Sequence, residues 1–182
     1  MIFSIVHMNP QQKALQEIGN KVSAVSAKQA LVGLDGFVDK IVHPVDQRSG
    51  SGDRYTAIET IADFARRIDS AAGKSANIEL ASVVDKLGGN GPILAAAQQA
   101  LGLKMRYIGA LGDPVVDPVF ESFARETQAV SIANPGITHA AEFSDGKIMF
   151  GSMAGLDDVT YERVIERMGE GAFFDLISRM DL

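Results

Sequence analysis

Two short runs hold the groups best suited to chemistry. Gly33-Leu34-Asp35-Gly36-Phe37-Val38-Asp39 closes an apolar stretch with two carboxylates, and Gly88-Gly89-Asn90-Gly91-Pro92 is a glycine turn leading into small apolar residues. An ionised carboxylate only accepts hydrogen bonds, and one such group can take protons from two neighbouring hydroxyls. A Gly-Gly pair lets a polar ligand approach main-chain N–H groups with no Cβ in the way, and a helix N-terminus behind it favours an acceptor there. Both runs could thus face one polar cleft.

Other chemistries find less support. Gly89-x-Gly91 begins a dinucleotide fingerprint, but its third small position falls on Leu94, too large for close helix–strand packing. A dinucleotide-binding module is therefore the weakest of three readings. No Gly-x-x-x-x-Gly-Lys-[Ser/Thr] loop occurs, there is no cysteine, and His7, His43 and His139 lie far apart, so neither a Walker loop nor a metal-ligand spacing is present. With 17 basic and 23 acidic residues the formal charge is -6, the wrong sign for a nucleic-acid surface. The absence of cysteine agrees with a cytoplasmic protein. No apolar run approaches the roughly 18 residues of a membrane span. The start, MIFSIVHMNPQQ, lacks the basic and small-residue features of a signal peptide.

The elements that would position the two runs follow from periodicity. Leu15, Ile18, Val22 and Val25 mark a helix over 11–26, and Ala30–Leu34 reads as a buried strand. Residues 43–53 are polar and rich in Gly and Ser, which predicts a loop. Asp53 is expected to cap a helix carrying Ile58, Ile61, Ala62, Ala65 and Ile68. A strand over 77–84 should lead to the glycine turn. Pro92 then presets a helix with Ile93, Ala96, Ala97, Ala100 and Leu101 on one face, and Met105–Gly109 reads as a buried strand. A helix over 117–128 and a short strand at 130–133 come next. Ser144-Asp145-Gly146 between alternating runs predicts a hairpin spanning 140–150. Tyr161, Val164, Ile165 and Met168 mark a helix capped by Asp157 or Asp158, and Phe173, Leu176, Ile177 and Met180 mark the last one. The alternation predicts one α/β domain over 1–182, a mainly parallel Rossmann-like sheet flanked by helices with a small antiparallel lid or edge hairpin. Both runs follow predicted strands, so they should open at one sheet edge, where α/β sheets bind their ligands.

The run from Gly88 to Asp113, GGNGPILAAAQQALGLKMRYIGALGD, resembles the first signature of the ribokinase-like (PfkB) carbohydrate kinases. In that family a Gly-Gly turn starts a helix and the next strand ends in Ile-Gly-x-x-Gly-Asp. A second match covers Gly33 to Asp39, where the family has a strand ending in Gly and then an Asp that bonds two sugar hydroxyls. Asp39 is the position that matches this Asp, six residues after Gly33 where the family has five; Asp35 stands as the alternative. The family's usual Asn three positions after Asn90 is Ile93 here, which removes one polar reader of the sugar. The 140–150 hairpin would belong to the lid or the sheet edge, through which such kinases often form homodimers.

The resemblance implies the N-terminal, substrate-binding part of an ATP-dependent sugar or nucleoside kinase. Asp39, Asp35, Gly88, Gly89 and Asn90 would form its sugar-binding side. ATP and Mg2+ are expected for the complete enzyme, whose ATP-binding half, anion hole and catalytic base would follow the last predicted element. Gly50-Ser51-Gly52-Asp53 imitates that anion hole but lies upstream of the substrate turn, so these 182 residues are expected to hold no catalytic or metal-binding residue, to bind no ATP and to be inactive alone. The alternative is a truncated, non-catalytic protein that binds a small polyol or a partner.

Overall fold

Apolar residues alternate along Lys104–Gly109, and that alternation organises the core. In the computed structural model, which describes residues 9–182, this segment is strand β5. It lies between β1 (Gln29–Val32) and β6 (Val130–Ser131), parallel to both. Met105 and Tyr107 face one side, where they pack with Ala95 of α3 (Asn90–Ala100) and with Phe120 and Phe123; Phe123 belongs to α4 (Glu121–Glu126). Ile108 faces the other side and packs with Ile132 and with Val164 of α5 (Tyr161–Met168). Phe173 and Leu176 of α6 (Glu170–Ser178) close that second cluster. A parallel sheet with helices on both faces results, the arrangement in which strands read as continuous apolar runs.

A second sheet stands against the first. Its central strand, β2 (Phe37–Arg48), pairs antiparallel with β3 (Tyr55–Ala57) and with β4 (Leu80–Gly88), and parallel with β7 (Gly136–Phe143). The hairpin partner of β7 is β8 (Gly146–Ser152). Residues 43–48, expected as loop, continue β2. Tertiary pairing overrides their polar composition: Val45 N–H donates to the Glu79 carbonyl at 2.9 Å, and Arg48 is bound by Glu79. The glycine turn at 88 therefore follows a strand of this antiparallel sheet and not one of the parallel strands. Helix α2 (Ile61–Asp69) lies against the hairpin, with Phe64 and Phe143 rings 5.3 Å apart and Asp145 accepting from the Ile61 N–H at 3.0 Å.

Several caps differ from expectation. Thr60, not Asp53, caps α2 by accepting from Asp63 N–H at 3.0 Å, because β3 intervenes. Thr160, not Asp157 or Asp158, caps α5, accepting from Arg163 N–H at 3.2 Å. Helix α1 (Pro10–Ser26) opens with a reciprocal Asn9–Gln12 capping box. His7 and the rest of residues 1–8, including the leader-like start, lie outside the described residues, as does the side chain of Val22. Among the described residues no helix is long and apolar enough to cross a membrane.

Candidate functional site

Strand register decides which residues share the face of the second sheet that looks toward α3. Asp39 stands opposite Thr138 on β7, and Thr138 stands opposite Gly151 on β8. Directly opposed residues project to the same side, and Asp39 is also opposed to Lys86 on β4, so one transverse row carries an exposed ammonium, a carboxylate, a hydroxyl and a glycine. Phe37 lies on the same face, opposite Gly88 on β4 and Gly136 on β7. Gly88 lies directly beneath Asp39: a Cβ there would meet the Asp39 carboxylate, which lies over the end of β4 and would have to move aside. Among the described residues no hydrogen bond or ion pair engages that carboxylate. Neighbouring Lys40, on the opposite face, is paired instead with Asp85 at 2.8 Å.

The other wall is the start of α3. Gly89 takes φ 96°, a left-handed value that favours glycine, and thereby turns the chain out of β4 into the helix. It provides no side-chain cap. Asp35, from the loop between β1 and β2, does so from 55 positions away: Oδ2 accepts from the Asn90 N–H at 2.8 Å and Oδ1 from the Gly91 N–H at 2.7 Å. A carboxylate at a helix N-terminus satisfies two orphan donors and meets the favourable end of the helix dipole. The Tyr107 hydroxyl donates to the Asp35 carbonyl at 2.5 Å, fixing the loop against β5. Burial, then the charge of Asp35, pushes the Tyr107 phenol well above its ordinary range, so it stays a donor.

Between the two walls lies a cleft of about 390 Å³, lined on its polar side by Asp35, Asp39, Gly89, Asn90 and Thr138. Phe37, Ile93, Met149 and Met153 give it an apolar side. Four of the five residues singled out in the sequence line one cleft; Gly88 is buried beneath Asp39. The two aspartates differ in what remains available: Asp35 is engaged by backbone amides, whereas Asp39 is uncommitted. The Asn90 amide, part of the backbone expected to face a ligand, is taken by Asp35 together with that of Gly91. Thr138, Met149 and Met153 went unrecognised, and only the Asp-Gly hairpin hinted at the strands that carry them.

Two other places offer less. A hollow of about 700 Å³ opens beside α2 and β3, but two of its three carboxylates, Asp46 and Asp63, are paired with Arg67 and Arg66. At Gly50-Ser51-Gly52-Asp53 the Gly50 and Gly52 carbonyls accept from Arg48 at 3.2 and 2.6 Å, so the turn presents oxygens to a cation and is no anion hole.

The chain is similar to several known proteins. A ketohexokinase from Haloferax volcanii is 29% identical over 160 residues, covering 87% of this chain and 42% of its own length. Among solved structures, Sa239 is similar over 76% of this chain and 41% of its own, with 19% identity and a TM-score of 0.46. Ribokinase from Giardia lamblia is similar over 78% and 38%, with 17% identity and a TM-score of 0.40. The chain thus spans less than half the length of each. The sequence model of the prokaryotic ketohexokinase family matches residues 10–181, and the chain belongs to that family.

Proposed function

We propose that this chain forms the sugar-binding side of an ATP-dependent kinase that phosphorylates a ketohexose. Family membership supports the class of reaction, and the named activity of the Haloferax relative supports the ketohexose. The observation that carries the reading is the uncommitted Asp39 carboxylate in the same cleft as Gly89 and Asn90. Ionised, it accepts from two hydroxyls of the sugar and so fixes the ring's orientation, while Phe37 and Ile93 meet its C–H face. Phosphoryl transfer depends on holding the acceptor hydroxyl in line with the phosphate, and positioning of this kind lowers the barrier by removing orientational freedom beforehand.

ATP with Mg2+ would supply the phosphoryl group and neutralise its charge. The residues present do not fit that pair. Among the described residues no three His, Asp or Glu side chains converge as a metal site, and the one Gly-x-Gly-Asp turn presents carbonyls to Arg48. The donor and its metal are therefore assigned to none of the described residues, and the reaction would take place in the cytoplasm, where ATP is held. Calorimetric titration of the chain with D-fructose, D-ribose and adenosine tests the reading. Saturable heat for the ketohexose, lost in Asp39→Ala, is the expected result, with no sugar phosphate formed on adding MgATP. Binding of adenosine or ribose in preference to fructose would overturn the substrate assignment.

A further inference from the structure

Two threonines among the described residues are buried, Thr127 and Thr138, 0% and 4% exposed. Thr127 is satisfied within its helix turn, its hydroxyl donating to the Phe123 carbonyl at 2.7 Å. Thr138 has no such partner among the described residues, and its hydroxyl is not one of the buried unpaired polar atoms, which are Gln98 Oε1 and Arg106 Nε, so it is open to the cleft. What sets it apart is its place. It lines the cleft, directly opposite Asp39 across a parallel strand pair, and its other neighbour in the row is Gly151, which has no side chain to reach it.

We propose that the Thr138 hydroxyl binds a sugar hydroxyl beside the one read by Asp39, making Thr138 a specificity-determining residue of the cleft. The inference rests on the sugar-binding reading of the site. Strands lie about 4.8 Å apart, so the two side chains can flank two adjacent hydroxyls of one sugar. Their chemistry is complementary: Asp39 can only accept, whereas a threonine hydroxyl donates as well. A diol whose two oxygens need one acceptor and one donor is thereby distinguished from a sugar that has lost or inverted either group.

Thr138→Val removes the hydroxyl and keeps the branched shape suited to a strand; Thr138→Ser keeps the hydroxyl. Binding of D-fructose and of its monodeoxy analogues to the chain, measured by calorimetry for the wild type and both variants, tests the inference. Thr138→Val should weaken D-fructose binding by about 2- to 10-fold, and Thr138→Ser should retain most of the affinity. The penalty should vanish for the one analogue lacking the hydroxyl that Thr138 reads. A merely structural role would instead lower affinity for every analogue alike, and that result, or Thr138→Val binding D-fructose as the wild type does, overturns the proposal. A wild-type chain that binds no sugar at all overturns the site reading and this inference with it.

Discussion

Exchanging Asp35 and Asp39 in turn for alanine should separate two carboxylates that look alike in sequence. Asp35 accepts from the Asn90 and Gly91 amides at 2.8 and 2.7 Å. Its removal leaves two helix donors without their cap. Loss of an N-cap acceptor costs about 0.5–2 kcal/mol, and here the cap also ties the β1–β2 loop to α3, which puts Asp35→Ala near the upper end. With a urea dependence of about 2 kcal/mol per molar, the denaturation midpoint should fall by roughly 1 M. Asp35→Asn, which keeps one acceptor oxygen, should fall between. Asp39→Ala removes a carboxylate with no partner among the described residues, so the midpoint should hardly move. Its effect should appear in sugar affinity: a hydrogen bond to a charged group is worth about 1.5–3 kcal/mol, or roughly 10- to 150-fold in Kd. Urea titration and fructose calorimetry on the same preparations give both numbers. A variant Asp35→Ala that is as stable as the wild type yet loses the sugar, while Asp39→Ala keeps it, would refute the assignment of roles.

Three smaller tests address the framework. Gly88→Ala should destabilise by about 1–3 kcal/mol through overpacking, because its Cβ meets the Asp39 carboxylate; adding Asp39→Ala should recover most of that loss, and simple additivity would count against the contact. Tyr107→Phe removes the donor to the Asp35 carbonyl and should cost on the order of 1 kcal/mol in the same denaturation assay. The Lys28 ammonium, with the Gln29 N–H, holds the Asp181 carboxyl below its ordinary range. Its stabilising contribution is therefore present above the unfolded value, about pH 4, and is lost as pH falls through the lower folded one. Asp181→Asn should flatten the dependence of the urea midpoint on pH in that window, and an unchanged slope would dismiss the pair's role.

What the sequence disclosed tracks how local the causes are. The Ile93–Leu101 periodicity, Pro92 and the Met105–Gly109 run are governed by neighbours in the chain, and α3 and β5 stand where they were expected. The extent of β2 was hidden because Pro44 and the polar residues after it read as loop, while their pairing comes from β3 and β4. Asp35 could be named as a candidate, but its engagement by Asn90 and Gly91 is a tertiary contact with no local signature. Thr138 fell just ahead of the strand predicted from Ala140, and only the parallel register of β7 with β2 brings it beside Asp39. The sequence set the glycine turn and the Asp39 run at one edge of a parallel sheet, whereas both belong to paired strands of the second sheet, β4 and β2; the β7 and β8 residues that complete the cleft left no local signal.

The central claim is that a ketohexose binds between the Asp39 face of β2 and the start of α3. Amide chemical shifts of the labelled chain, followed through a D-fructose titration, test it most directly. The account predicts saturable shifts concentrated at Phe37, Asp39, Gly89, Asn90, Thr138 and Gly151. Shifts confined to the hollow around Asp46, Asp63 and Arg67, or none at millimolar sugar, would contradict it.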